Sequence, residues 1–389
     1  MRLVWCKLVD DWLYFCKFVN NMDDLKQVQN AKKMIAARLL SARRMAGLSL
    51  QDLADKMGND VTKQSLSKYE NGKMKPDAKG LLALANALNI SVDYLYSIPA
   101  VNVKLENIEY RKKSVKLSSI DDAIVIERAV DVFERYLELE DLLQLNDKYE
   151  YFVFDRLVLT AQDAEEAAAE LRNVWELGND PIPDVVEMLE DKGYLVVDID
   201  APDGFDGMKA TVGDRKVVVL KKALDNELND IVRKRFTALH ELAHHVLKFP
   251  NDLRSKEREL LCHIFASAFL YPADMARKEL LGARFYFFER ELIILKERWG
   301  ISFLAIFHRA NHLGILNDSV LRKLNMGFRK RGYHLYNAEP GRFSSREVPT
   351  RMERLVFLGL AKEVLTINEA AFLAGMGAWK LREQMQLMI

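Results

Sequence analysis

The segment His240-Glu241-Leu242-Ala243-His244 has the residue types and the spacing of a catalytic metal site. On an α-helix, residues four positions apart lie on one face about one turn apart, so two neutral imidazoles there can bind a single Zn2+. Glu241 lies beside them, where its carboxylate can take a proton from a water molecule. The pattern predicts His240 and His244 as zinc ligands and Glu241 as the catalytic base.

The residues around this motif favour the helix that it requires. Phe236, Leu239, Leu242 and Val246 recur at helical spacing, and no Pro or Gly interrupts residues 231–249. We therefore expect a helix from about residue 228 to residue 248. A second helix is expected over residues 255–270, because Pro272 ends the next apolar run.

A catalytic zinc needs a third protein ligand and one open position. The metzincin pattern would supply a His six residues after His244, but Pro250 stands there, which excludes that variant. The gluzincin pattern takes a Glu from a following helix, and Glu259 lies fifteen residues after His244. We predict Glu259 as the third ligand; the alternative is that it belongs to an ordinary solvent-exposed helix face.

The remaining histidines have weaker roles in this prediction. His263, one helical turn after the third ligand, can orient a zinc-bound histidine or compete as a ligand, and Cys262 is a weaker candidate for the same position. His245 is rotated by about 100° from His244 and is expected to be structural or exposed. His308 and His312 are expected to be packed histidines, with stabilisation of an oxyanion as the alternative.

Several further stretches accompany the motif, and they run in a fixed order along the chain: AAAELRNVWELGNDPIPDVVEMLEDKGYLVV, DGM, FTALHELAHHVL, ELLCHIFA, FLYP and ERWGISFLAIFHRANHLG. With them, the segment from about Ala164 to Gly314 resembles the ImmA/IrrE family of zinc metallopeptidases. The resemblance implies a thermolysin-like mechanism, in which Glu241 acts first as base toward water and then as acid toward the leaving amine. The chain departs from the family at Cys262-His263, where Ala-Asn or Ala-Asp is usual.

A second group of residues, near the N-terminus, has the pattern of a nucleic-acid-binding module. Ser49 and Thr62 are N-cap residues, while Gly58 and Asn71-Gly72 are helix stops, so a helix-turn-helix is expected. Its recognition helix would begin at residue 63. We expect base-edge contacts from Lys63, Gln64 and Ser65, and phosphate contacts from Ser67, Lys68 and Lys73.

The local charge agrees with a DNA-binding function for this module. Residues 31–80 hold eleven basic and five acidic side chains, although the whole chain is neutral, with 57 Lys+Arg and 57 Asp+Glu. Residues 35–95 resemble the XRE (Cro/cI-type) repressor family, with two departures: Leu50 replaces the usual Gln, and Asn59-Asp60 lengthens a turn. The alternative is a helical protein-docking module with a solvated basic face.

The composition sets broad limits on the class of protein. The chain has 389 residues, 49% of them hydrophobic and 29% charged, which excludes a disordered or fibrous protein. Three cysteines, the lack of a recognisable export signal and the lack of an apolar run long enough to cross a bilayer predict a cytoplasmic protein without a membrane partner.

The same patterns predict how the chain is organised. We expect an N-terminal extension (1–30), a helix-turn-helix domain (31–98), a linker with an acidic helix (99–160), a zinc peptidase domain (161–315) and a helical C-terminal region (316–389). Two β-rich runs, 194–199 and 216–220, are expected on either side of the turn-rich APDGFDG. The fold class is therefore α+β, mainly helical, with a small sheet and a zincin-like centre.

Two functions from different classes agree with these features. The first is a transcriptional regulator that binds double-stranded DNA as a homodimer and uses a zinc endopeptidase to cleave itself or a partner repressor, in response to stress or a mobile element. The second is a regulator or antitoxin that senses a metal or ligand with a peptidase-like fold and does not hydrolyse. A housekeeping peptidase with a docking domain is a third hypothesis.

Overall fold

The computed structural model describes residues 32–58, 60–97, 101, 103–112, 117–145, 148–222, 228–335 and 338–385. The expected extension (1–30) lies outside the described residues, as does Asn59. The described residues form two compact units. The first consists of the residues before position 101 together with Ser118–Arg128, and the second contains the rest.

The first unit is a bundle of short helices. A helix over residues 32–45 (α1) is followed by α2 (Leu50–Lys56), α3 (Lys63–Glu70), α4 (Ala78–Leu88) and α5 (Val92–Tyr96). Ser49 caps α2 in a reciprocal capping box with Asp52, and Thr62 caps α3, as the sequence predicts. Gly58 and Gly72 follow these helices with positive φ angles, which glycine adopts without strain.

Apolar side chains from all five helices form the core of this unit. Leu66 is the buried residue of α3 and is fully enclosed. Since only one face of α3 turns inward, Lys63, Gln64 and Lys68 remain exposed. The core contains Ile35, Leu39, Ala42, Leu53, Ala54, Leu66, Leu81, Leu84, Ala87, Leu88, Tyr94 and Leu95.

The second unit has a mixed four-stranded sheet and helices. The strands are β1 (Glu106–Lys112), β2 (Leu195–Ile199), β3 (Phe205–Val212) and β4 (Arg215–Lys221), in the order β1-β3-β4-β2. β3 pairs antiparallel with both β1 and β4, while β2 pairs parallel with β4. β1 therefore forms one edge of the sheet.

Twelve helices of the described residues, α6 to α17, accompany the sheet or follow it, and α6 begins among the residues of the first unit. The first eleven are α6 (Ser119–Leu142), α7 (Ala161–Val174), α8 (Val185–Asp191), α9 (Leu228–Val246), α10 (Ser255–Leu270), α11 (Ala273–Leu280), α12 (Glu289–Trp299), α13 (Phe303–His312), α14 (Asp318–Lys330), α15 (Arg351–Ala361) and α16 (Ile367–Leu373). The last described helix is α17 (Ala378–Gln384).

The core of the second unit positions the two helices that the zinc prediction requires. Leu239, Leu242 and Val246 of α9 are buried in the same apolar cluster as Leu261 and Phe265 of α10. Helix α9 packs against β3, β4 and α10. Its apolar stripe thereby fixes the rotation of the helix, and the rotation decides where the histidines between the apolar residues point.

Two strands differ from the sequence-based expectation. The sequence predicts a linker over residues 100–120, but residues 106–112 form β1. The segment APDGFDG was expected to be a turn, but its last three residues begin β3. Both segments contain Gly, Asp, Asn or charged residues, which disfavour strands locally. Pairing of β1 with β3, and of β3 with β4, overrides this local preference.

The C-terminal region is helical, as predicted, and the described residues between α14 and α15, 331–335 and 338–350, form neither helix nor strand. The observed architecture is α+β, as predicted from the sequence. Within the described part of the chain, no helix combines the length and the apolar character that crossing a bilayer requires.

Candidate functional site

The two histidines of the motif and Glu259 converge at one point in the second unit. His240 and His244 lie on one face of α9, with their Nε2 atoms 3.2 Å apart. Glu259, near the start of α10, places one carboxylate oxygen 3.0 Å from His240 Nε2 and the other 3.5 Å from His244 Nε2. Among the described residues, this is the group of His, Cys, Asp and Glu side chains whose spacing suits a metal ion.

The spacing of these donor groups suits a tetrahedral zinc. Nitrogen and oxygen ligands at about 2.0–2.2 Å from a tetrahedral zinc lie about 3.3–3.6 Å from one another. The two Nε2 atoms are 3.2 Å apart, His240 Nε2 is 3.0 Å from one Glu259 oxygen, and His244 Nε2 is 3.5 Å from the other; these distances are close to this range. Two imidazoles and one carboxylate are also the donor types that catalytic zinc sites use. His240 is fully buried, whereas Glu259 is partly exposed, so the group lies at the boundary between core and solvent.

Glu241 lies next to this group on α9 and is itself buried. A neighbouring strand makes room for it, because β3 has a glycine at position 207. A Cβ atom at Gly207 would lie 2.6 Å from Thr237 Cγ2 and 3.1 Å from Glu241 Oε1. In proteins, a Cβ atom essentially never lies within 3.0 Å of a heavy atom from a residue that is distant in the chain. The missing side chain therefore lets α9 approach the sheet closely at the position of the expected catalytic base.

The outer ring nitrogen of His244 contacts two further side chains. Glu109 of β1 places a carboxylate oxygen 3.0 Å from His244 Nδ1, and Cys262 Sγ lies 3.7 Å from the same atom. Burial lowers the pKa of His244, but its hydrogen bonds to Cys262 and Glu109 outweigh this effect and raise the pKa. Burial raises the pKa of the Cys262 thiol, so Glu109 is the charged acceptor beside His244 at neutral pH.

Glu109 is held in place by a lysine on the neighbouring strand. Lys209 lies directly opposite Glu109 in the β1–β3 ladder, and its Nζ is 2.9 Å from the carboxylate. The hydrogen bond to His244, together with Lys209, lowers the pKa of Glu109 to about 2 in spite of its partial burial. Glu109 is therefore an ionised carboxylate.

The other histidines divide between the site, the core and the surface. The His263 ring packs against His240, with centroids 4.5 Å apart, and stacks on Phe236. His245 is buried and donates a hydrogen bond from Nε2 to the Val217 carbonyl, so of the two expected roles, structural or exposed, it has the structural one. The expectation that His308 and His312 are packed is wrong, because both side chains are exposed on α13.

The expected DNA-contacting residues lie on or directly after α3. Lys63, Gln64 and Lys68 are exposed, and Lys73 is exposed just beyond the helix. Ser65 and Ser67 are partly buried, and Ser65 Oγ lies 3.1 Å from the hydroxyl of the cap residue Thr62. The structure thus presents a polar, basic surface along α3 and its C-terminal end.

A bidentate ion pair fixes the end of α3 to the first helix. The Arg43 guanidinium donates to both carboxylate oxygens of Glu70, at 2.6 and 2.8 Å, and also to the Leu48 carbonyl at 2.7 Å. The hydrogen bond to Glu70 raises the pKa of Arg43. Because two parallel hydrogen bonds define an orientation, this pair helps to set the direction of α3.

Glu109, Gly207 and the Arg43–Glu70 pair could not be predicted from the sequence. Glu109 precedes His244 by more than one hundred residues and lies in a segment that the composition indicates is a linker, so no motif connects the two residues. The alternation of Ile108 and Tyr110 with polar neighbours was the one local sign of a strand there.

Comparisons with known families agree with this arrangement. Residues 39–95 match the family described as Helix-turn-helix, and residues 196–311 match the family described as IrrE N-terminal-like domain. The chain therefore contains an XRE-type helix-turn-helix domain followed by an IrrE/ImmA-like domain. All three residues of the metal-suited group lie within the second match, whereas Glu109 lies outside both.

Two curated relatives come from Bacillus subtilis (strain 168). The SPbeta prophage-derived uncharacterized HTH-type transcriptional regulator YonR is 44% identical over 62 residues, which are 16% of this chain and 56% of YonR. The uncharacterized HTH-type transcriptional regulator YqaE is 37% identical over 62 residues, which are 16% of this chain and 52% of YqaE. The chain spans about half the length of these curated relatives.

Proposed function

We propose that this protein is a DNA-binding transcriptional regulator whose second unit is a zinc-dependent endopeptidase. The convergence of His240, His244 and Glu259 beside Glu241 carries the proposal. In this proposal, residues 31–98 bind DNA, residues 161–315 are the peptidase, and residues 99–160 and 316–389 connect or extend them. The regulator acts in the cytoplasm, as a homodimer.

The residues of the site have distinct chemical roles in this proposal. His240, His244 and Glu259 hold the metal, which when bound supplies a Lewis acid that polarises the peptide carbonyl and makes water more acidic. Glu241 accepts the proton of the attacking water and then delivers it to the leaving amine. The tight approach of α9 to Gly207 keeps this carboxylate in a fixed position.

The surface of α3 suits double-stranded DNA. Lys63, Gln64 and Ser65 occupy the N-terminal part of the helix, which meets base edges in a helix-turn-helix complex. Ser67, Lys68 and Lys73 lie farther along, where contacts with phosphates are expected. The two relatives named as HTH-type transcriptional regulators support this assignment.

The proposed substrate is a protein, either this chain itself or a partner repressor. The test is mass spectrometry of the purified protein incubated with zinc and with the repressor encoded beside it. Glu241→Gln keeps the shape of the side chain but cannot accept a proton, so cleavage should fall about 100-fold or more while zinc is retained. DNA binding by the same variant should not change.

The result also separates peptidase from sensor. Proteolysis is refuted if the unaltered protein binds zinc but cleaves neither chain, and if the unaltered protein and Glu241→Gln regulate the target promoter equally well. The non-hydrolytic regulator, which uses the fold to sense a metal or ligand, then replaces it. If neither zinc nor specific DNA is bound, both functions fail.

A further inference from the structure

One strand outside both matched families reaches the metal-suited group. β1 precedes the IrrE/ImmA-like domain in the chain, separated from it by α6 to α8. It nevertheless pairs with β3 along the edge of the sheet, and its Glu109 contacts His244 Nδ1 at 3.0 Å.

The two nitrogens of His244 face different partners. Nε2 points toward His240 and Glu259, and Nδ1 points toward Glu109 and Cys262. A carboxylate can only accept a hydrogen bond, so the proton on Nδ1 is donated to Glu109. In the neutral ring that binds a metal, this arrangement leaves the lone pair on Nε2, which is the atom facing the other two ligands.

The local structure of β1 aims Glu109 at this nitrogen. The pairing of β1 with β3 is irregular between Glu106 and Glu109, and Asn107 has a positive φ of 52°. Irregular pairing of this kind redirects the side chain that follows it. Lys209 then holds the carboxylate from the opposite strand.

We propose that β1 is part of the metal centre, with Glu109 as a positioning residue that holds His244 in its metal-binding orientation and tautomer. Metal binding and the docking of β1 on β3 then stabilise each other, because a coupling between two equilibria acts in both directions. This inference rests on the proposed zinc site. It adds that metal binding stabilises the docked position of β1, the strand that precedes α6 in the chain.

The first test measures zinc affinity by competition with a chelator of known affinity. Glu109→Ala should weaken zinc binding about 10- to 100-fold, as is typical when an outer carboxylate partner is removed. Glu109→Gln keeps a neutral hydrogen-bond acceptor for His244 Nδ1 and should therefore weaken zinc binding less. Glu106→Gln is the matched control, since it removes the same charge from the same strand at an exposed position and should leave the affinity unchanged.

The second test measures hydrogen exchange at the backbone amides of residues 106–112, with and without zinc. Zinc should slow exchange in the unaltered protein and in Glu106→Gln, but not in Glu109→Ala. If Glu109 only stabilised β1, Glu109→Gln would change the amide exchange of residues 106–112 in the zinc-free protein but would leave the zinc affinity unchanged. Equal zinc affinity in all variants, or exchange in the unaltered protein that zinc does not alter, overturns the inference.

Failure of the inference is distinguishable from failure of the zinc site itself. If the unaltered protein and His244→Ala bind equally little zinc, the proposed metal function is wrong, and the inference falls with it. If the unaltered protein binds zinc tightly, His244→Ala does not, and Glu109→Ala matches the unaltered protein, the zinc site stands and the role of Glu109 is refuted.

Discussion

The helix-turn-helix and the metal-suited group are built in opposite ways. The surface of α3 comes from one continuous helix, with its cap, its buried Leu66 and its stop all within about a dozen residues. The metal-suited group is assembled from α9 and α10, with a further contact from β1 and space provided by β3. A local surface can be recognised from its own sequence, whereas an assembled site depends on elements that the motif does not contain.

The largest expected effect is the loss of a ligand from the assembled site. Glu259→Ala removes one of three donors, so zinc affinity should fall by more than the roughly 10- to 100-fold typical of an outer partner. Glu257→Gln, a partly exposed position on the same helix whose carboxylate pairs with Arg254 and not with the metal-suited group, serves as control. Elemental analysis after dialysis measures the bound zinc. Equal retention by both variants would remove Glu259 from the ligand set.

The next effect concerns the local unit. Leu66 is fully buried between the helices, so Leu66→Ala should destabilise the helix-turn-helix by about 2–5 kcal/mol. Chemical denaturation followed by circular dichroism measures the change, and DNA binding should weaken with it. Zinc retention should stay the same, because none of the zinc ligands belongs to this unit. A parallel loss of zinc would contradict the separation of the two regions.

Gly207→Ala tests whether spacing between elements governs the assembled site. The added Cβ would overlap Thr237 Cγ2, and overpacking of this kind costs about 1–3 kcal/mol. Gly327→Ala is the control, since nothing lies within 4 Å of its added Cβ in helix α14 and alanine favours helices. We expect a lower melting temperature and slower peptide cleavage for Gly207→Ala alone. Unchanged cleavage would mean that α9 can move away from β3 without consequence.

The smallest effects distinguish two kinds of residue on α3. Lys68→Ala should weaken binding to all duplexes and reduce the salt dependence by about one unit of slope. Gln64→Ala should relax specificity at one base pair by about 1–3 kcal/mol. Binding titrations at several salt concentrations, with cognate and scrambled duplexes, separate the two. Specific binding by a protein that lacks residues 31–98 would refute the assignment of both.

Much of this structure could be predicted from particular residues. Ser49 and Thr62 fixed the helix starts, and the spacing of Leu239, Leu242 and Val246 oriented α9 well enough to pair His240 with His244. These signals act within a few turns of helix, where side-chain periodicity and hydrogen-bond chemistry are decisive.

The remainder depended on contacts between distant segments. β3 contains Asp206 and Gly207, which disfavour a strand, and it forms because β1 and β4 lie on both sides of it. Glu109 reaches His244 only after that sheet exists. The exposure of His308 and His312 likewise follows from how α13 rotates against α10, α12 and α14, which an i,i+4 spacing alone does not determine.

The position of β1 at the edge of the sheet also bears on how the peptidase-like part can be isolated. A fragment cut to residues 196–311 keeps His240, His244 and Glu259 but loses β1. β3 would then expose a row of unpaired backbone N–H and C=O groups along a largely buried, apolar strand. Open edges of this kind pair readily with other chains. We expect such a fragment to aggregate, whereas one that begins before Val101 should stay monodisperse.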